Sequence, residues 1–525
     1  RIYVWLADGE APLSKELEVS TRIRMFNGAG TSYIQLAKLL FRHNNHARVP
    51  AIILGYHSII KRCDIQWSSF IALSLKSHSA SIYCNVSNNG STGIGGHAAT
   101  NLLISGCTIT NNNYRGFNPN WHAGGIKMIP NVSATVEHNI VARNNGHGIW
   151  FDSCRSNQII IIRGNQVVHN QIGIFVEISP NARVYNNLVV SNKTGICVSE
   201  ADNVRVFNNT ISGSHGYAAI LSKTSYSRIS TGSPFHGNRY YNNLLYNNSS
   251  TYDIILPTPS EYIWDNRSDY NCIYRTGESA KFSGYGGAIT GLDNWRQVSG
   301  QDTHSLESQP FVLNPIFNNS GLSINSPCID VGTNLTELSI IPYDLARKPR
   351  IVNGIVDIGA YEFDGFDDQT RPDIRITTTP GSEIPYDMGT ITGFMNANIS
   401  GSLGALIISE STTNWVPIGS PTFYSWELDI SSFEVGQEYT ITIYGTNHVG
   451  SLAQQTITVT RGDIGTGTPV LAITTPDPII QESGIVQIRG TNNLHVADQI
   501  GWSNRYNQAF INGGLLTASD GTWNL

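Results

Sequence analysis

The chain has 525 residues, a formal charge of −6 and only 14% charged residues, against about 25% in ordinary globular chains. That balance leaves no basic footprint for nucleic acid, and no run reaches the roughly 18 apolar residues of a membrane-spanning helix. The length suits three or four domains with an ample core, and the Gly, Asn, Ser and Thr that stand in for charge suit a turn-rich all-β protein.

Residues 1–60 read as strand-forming but irregular. The chain opens on Arg1, passes at once into IYVWLADG and shows no signal peptide; with an end at DGTWNL it reads as a piece of a longer polypeptide. From about Cys63 to Asn243 a period emerges. GIWFD (148–152), GIFVE (173–177) and GICVS (195–199) are alike, and Ile149, Ile174 and Ile196 stand 25 (174−149) and 22 (196−174) residues apart. Asn145, Asn170 and Asn192 precede them by four residues, and Asn139, Asn165 and Asn187 come earlier in each unit. A repeat in the low twenties, made of β-branched runs broken by Gly, Asn and Ser, marks a β-solenoid. A leucine-rich horseshoe has a similar period but needs Leu where this chain uses Ile and Val. A right-handed parallel β-helix fits better.

Aligned on the inward Ile, one column runs Leu73, Ile94, Ile126, Ile149, Ile174, Ile196, Ile220. Strand side chains alternate faces. The first outward column is therefore Ser74, Gly95, Lys127, Trp150, Phe175, Cys197, Leu221, and the second includes His97, Asp152, Glu177, Ser199 and Lys223. Asp152 and Glu177 fall on neighbouring rungs, about 4.8 Å apart at the backbone. A turn column runs Cys63, Cys84, Cys107, Asn139, Asn165, Asn187, Asn209, Asn243. Its Asn amides can bond rung to rung, and Asn tolerates a left-handed turn. The three cysteines are expected buried and reduced. The seven cysteines contain no CxxC pair, which argues against a zinc ribbon or a thioredoxin-like site.

On these repeats residues 1–365 resemble the pectate-lyase-like family of β-helix proteins. The resemblance implies the fold and its stacked Asn ladders. It implies no particular reaction, because unrelated activities share the scaffold.

The period lengthens once, to 32 (126−94), where NNNYRGFNPNWHAGG (111–125) enters. An insertion in a solenoid must loop out, and such loops often wall a binding site. This one is predicted to bring Tyr114, Arg115, Phe117, Trp121 and His122 close to Lys127. A second excursion is expected between about Ser222 and Tyr262. SPCIDVG (326–332) and DLARKPRIVNGIVDIGAYEF (344–363) resemble the closing segment of bacterial surface β-helix proteins, the choice-of-anchor Q region, on Asp330, the Pro349–Arg350 pair and DIGAYE. That resemblance implies export. Residues 372–462 alternate as an Ig-like sandwich does, without the Cys…Trp…Cys signature, and residues 467–525 begin a second, incomplete one.

Asp152 and Glu177 are the leading catalytic candidates. Two carboxylates about 5 Å apart suit retaining glycoside hydrolysis, and their repulsion would keep one protonated. The pair equally suits a calcium site or a solvated rim. Trp150 and Phe175 are predicted to face outward; such a surface is costly unless covered or used, so either sugar rings stack on it or the 111–125 loop folds over and buries it. Lys127 is either a proton-abstracting base or the ion-pair partner of Asp152. His122 and His97 are acid–base candidates, although a lone His is more often structural. Trp121, Trp150, Phe175, Arg155 and His97 are the expected substrate contacts, with Glu200 flanking the strip.

The residues together indicate an extracellular or cell-surface carbohydrate-active protein that binds an extended polysaccharide or cell-surface glycan. It would cleave it as a hydrolase through Asp152 and Glu177, or as a lyase through Lys127 or a His. No cofactor is called for; Ca2+ stays open as a partner for a uronate carboxylate, and no metal ligands are named. The rival is a non-enzymatic adhesin or structural stalk, with self-assembly or continuation into a longer chain.

Overall fold

The structure, a computed structural model, describes residues 22–363 apart from 47, 156–158, 226–234 and 313–320, and after them chiefly the strands of a second unit. The chain divides into Arg1–Asp368 and Gln369–Leu525.

In the first unit every turn places one short strand in each of three sheets, which hold twelve, ten and eleven strands among the described residues. The pairing is parallel rung on rung, apart from one terminal hairpin, Lys281–Gly284 with Gly287–Thr290. This is the right-handed parallel β-helix that the repeat predicts, the hand a twisted strand imposes on its crossover. Rungs extend from Phe26–Asn27 to Leu306–Glu307, well beyond the legible span 63–243. Part of the second predicted excursion, 226–234, lies outside the described residues, and the rungs resume at Phe235.

The predicted register holds. Ile149 pairs with Ile174, Trp150 with Phe175 and Asp152 with Glu177; Lys127 pairs with Trp150. The inward Ile column is fully buried. Just before it stand Gly93, Gly125, Gly148, Gly173 and Gly195. A Cβ on Gly148 would lie 2.5 Å from the Gly173 carbonyl and 2.8 Å from Val167 in the core. At this point the strand turns two successive positions inward, and only Gly leaves room for the next rung's backbone. That constraint accounts for the repeated GI of the sequence motif.

The Asn ladder is present and continues to Asn271. Asn165 Oδ1 accepts from the Asn139 backbone N–H at 3.0 Å and from its Nδ2 at 2.9 Å, and every rung repeats the pattern. The left-handed residue is not the ladder Asn but the one before it: His138, Asn186, Asn208, Asn242. A second ladder runs Asn89, Asn112, Asn144, Asn170, Asn192. Asn144 takes this place rather than Asn145, which stands four residues before Ile149, because that turn carries one extra residue. Cys63, Cys84 and Cys107 are buried and unpaired, as is every other cysteine.

The core closes at one end under helix Leu292–Ser299. Its buried Trp295 stacks on Phe282 at 5.0 Å and donates to Asp302 Oδ2 at 2.8 Å. Segment 326–363 then folds back along the side of the solenoid. The left-handed Asn186, Asn208 and Asn242 donate their amides to the carbonyls of Tyr343, Asp357 and Thr333. Leu338, Ile341 and Val356 pack on Tyr185 and Phe207. Arg350, 1% exposed, bonds Glu362 at 2.6 Å and Asn186 Oδ1 at 3.2 Å.

In the second unit a three-stranded and a five-stranded sheet share one core that includes Ile391, Trp426 and Ile441, which makes a β-sandwich. Farther on, Gln499–Tyr506 pairs antiparallel with Ala509–Thr517. No helix among the described residues is long and apolar enough to cross a membrane.

Candidate functional site

The site is built on three adjacent strands of the twelve-stranded sheet, Gly124–Met128, His147–Asp152 and Ile172–Glu177. Parallel register puts Asp152 and Glu177 side by side at the C-terminal ends of their strands. Lys127, one rung earlier, reaches across to Asp152 Oδ2 at 2.7 Å. Ser153 Oγ donates to the other carboxylate oxygen at 3.0 Å. Trp150 Nε1 donates to Glu177 Oε2 at 3.1 Å. Burial, and then the neighbouring Asp152 charge, push the Glu177 carboxyl above its ordinary range. The environments of the two acids therefore differ: Asp152 is ion-paired, and Glu177 is pushed toward its protonated form.

Lys127 is 2% exposed and lies over the Trp150 ring, 2.7 Å from its centroid. Burial lowers its pKa to about 8 despite the Asp152 carboxylate. Of the two roles read from sequence, the geometry matches the ion-pair partner. A base must reach its substrate proton, and this ammonium is sealed beneath an indole.

Of the two readings, burial holds for Trp150 and Phe175; they are 3% and 6% accessible. They stack on each other at 5.4 Å and join Cys197, Leu221 and Ile255 in a small outer cluster. The rings thus form a packed floor rather than a sugar platform. His147 packs edge-on against both, at 4.8 and 5.3 Å, with Nδ1 buried and unbonded. Burial and then the Lys127 charge lower its pKa to about 4. The sequence reading missed His147 because strict alternation puts it in the core, and the Gly148 bend turns it out. The repeated Gly was the available signal.

The insertion loop leans toward the preceding rungs. Phe117 and His122 pack on Phe70, each at 5.6 Å, and Arg115 donates to the Ser69 carbonyl. His122 Nδ1 lies 3.0 Å from Thr92 Oγ1, and burial with the Lys127 charge lowers its pKa to about 4. Trp121, 64% exposed, tilts on His122 at 5.4 Å. The ring and hydrogen-bond contacts of Trp121 and His122 lie on this side, with the Lys127 charge near enough to bear on His122. His97 and Arg155 are exposed and make no hydrogen bond to either carboxylate among the described residues. Glu200 accepts from Thr224 and from the Ser225 backbone. Among the described residues no three His, Cys, Asp or Glu side chains gather as a metal cluster.

A family model described as "Right handed beta helix region" matches residues 50–211. No curated protein matches the sequence. Three of the similar solved structures illustrate the likeness. Pectate lyase Pel9A is 13% identical with a TM-score of 0.40, over 67% of this chain and 85% of its own. The Dettilon tailspike protein is 12% identical with a TM-score of 0.31, over 94% and 84%. Tailspike protein 2 of bacteriophage CBA120 is 13% identical with a TM-score of 0.28, over 90% and 70%. Likeness at this level carries no activity or substrate across. The class that the chain's own geometry defines is a right-handed parallel β-helix followed by a β-sandwich.

Proposed function

We propose that this chain binds an extended polysaccharide and hydrolyses it with retention of anomeric configuration, through Asp152 and Glu177. The observation that carries the reading is the pairing of an ion-paired aspartate with a glutamate of raised pKa on the next rung. A backbone separation of about 4.8 Å matches the short carboxyl spacing of retaining enzymes. Asp152, oriented by Lys127 and Ser153, attacks the anomeric carbon. Glu177, whose Oε2 is held by Trp150, gives a proton from its other oxygen to the leaving sugar. It then takes a proton from the water that releases the glycosyl group. Lys127 is a positioning residue in this scheme, and its burial disfavours lyase chemistry through that amine.

The localisation and the appended modules belong to the same proposal. DIGAYE and Pro349–Arg350 lie in the strap along the solenoid, consistent with the surface-protein segment they resemble, and the sandwich would act as an Ig-like spacer outside the cell.

Purified protein is incubated with neutral and acidic polysaccharides, and reducing ends, product anomer and unsaturated-product absorbance are followed. Glu177→Gln should lower turnover at least about a hundredfold with binding kept. An unsaturated product would replace the hydrolase by a lyase. Binding that Glu177→Gln leaves intact, with no cleavage by the wild type, would leave an adhesin.

A further inference from the structure

The two edges of the twelve-stranded sheet differ in charge. The edge where its strands end carries both signs, with Asp152, Glu177, Glu200 and Asp202 beside Lys76, Arg155 and Lys223. Eight successive turns lead into the opposite edge, 67–72, 88–91, 111–123, 143–146, 169–171, 191–193, 213–217 and 247–251. They contain no Asp or Glu at all. They carry Arg115, Arg143, His169, Lys193 and His215 instead, all exposed. In a chain of net charge −6, such a strip has a local potential opposite to the molecule's.

The strip has shape as well as sign. A cleft of about 250 Å³ opens between four of these turns, lined by Asn145, His169, Gln171, Ser191, Lys193 and His215. Its floor is the buried ladder Asn144, Asn170, Asn192, whose amides are spent on one another and on backbone carbonyls. The side chains of His169, Gln171, Lys193 and His215 make no hydrogen bond or ion pair among the described residues. Among the described residues Lys193 has no carboxylate to neutralise it. Asn145 ties the cleft to the insertion loop through reciprocal bonds with Asn113, at 2.6 and 3.3 Å. That loop presents Tyr114 and Trp121 at 51% and 64% exposure.

We propose that this edge is a binding face for an anionic polysaccharide, separate from the carboxylate pair. The cleft takes a carboxylate or sulfate group on Lys193, His169 and His215. Tyr114 and Trp121 stack on neighbouring sugar rings, as amphipathic aromatics do. Rungs about 4.8 Å apart offer one turn for each successive sugar of an extended chain. This takes from the preceding section only the polysaccharide nature of the ligand, and it does not need cleavage.

Affinity electrophoresis and calorimetry would use polygalacturonate, chondroitin sulfate and neutral dextran as probes, on wild type, Glu177→Gln and Lys193→Ala/His215→Ala. An acidic polymer should retard the wild type, with affinity falling as salt rises. The double variant should bind at least about tenfold more weakly, with an unchanged circular dichroism spectrum, while Glu177→Gln binds as the wild type does. Preference between the two acidic polymers identifies the anion. Binding of dextran alone would overturn this inference and leave the hydrolase standing. Unchanged affinity in the double variant, or equal affinity for single-stranded DNA, would also overturn it. Cleavage without any effect of the double variant separates the two proposals.

Discussion

His147 shows how one residue couples fold and charge. It sits 4% exposed against two aromatic rings and near the Lys127 ammonium. Its pKa falls from an ordinary 6.5 to about 4. The unfolded chain therefore binds the proton more tightly than the folded one. The contribution to stability is complete above pH 6.5, declines as the pH falls, and is lost below pH 4. A shift of this size corresponds to about 3 kcal/mol. Asp344, which burial raises to about 6, works in the opposite direction over an overlapping range, so a bare stability profile would mix the two. Comparison with His147→Phe isolates the imidazole. The gap in urea midpoint between wild type and variant should shift steadily against the wild type from pH 6.5 to 4. A constant gap would mean that His147 does not titrate as its burial requires. At the neighbouring position, Lys127→Met should loosen Asp152 and lower turnover while sparing glycan affinity, since Lys127 does not touch the solvent.

Among the elements, the strap is the one whose sequence was recognised before its place was known. Arg350 joins Glu362, Asn186 and the carbonyls of Asp357, Gly359 and Tyr361. Asp357 in turn accepts from the backbone of Asp330 and Phe363. The letters that carry the resemblance are thus internal fasteners that hold 326–363 against the turns of three rungs. Removing one partner of a buried pair costs about 3–5 kcal/mol, because the other charge is left without compensation. Arg350→Met should lower stability by that order, and Arg350→Met/Glu362→Gln should recover part of it. Thermal unfolding of the two variants tests this; an Arg350→Met protein as stable as wild type would show that the strap is not fastened there.

For the whole molecule, neighbour-on-neighbour stacking makes stability a sum over rungs. The buried cysteines belong to that stack and need no bridges. All seven are free in the structure, so thiol titration in denaturant should give the same count with and without reductant. A deficit without reductant would reveal a disulfide. The same stacking keeps one edge free of acids, since a residue type repeated at one turn position becomes a continuous strip.

The solenoid and the register of its main sheet were legible because Ile recurs at a fixed place and side chains alternate. A slip of one residue would have turned every Ile outward. That is why Lys127, Trp150, Asp152, Phe175 and Glu177 could be set side by side from the letters alone. Alternation assigns a face but not what covers it, so it could not decide whether Trp150 and Phe175 are exposed or buried. It failed outright at His147, where the Gly column breaks the alternation. The direction of the insertion loop and the lie of the strap depend on contacts far apart in the chain, such as His122 with Phe70 and Arg350 with Asn186. The cleft at the cationic edge depends on how four turns pack. Local periodicity carries no term for contacts between distant segments, and only the folded chain decided them.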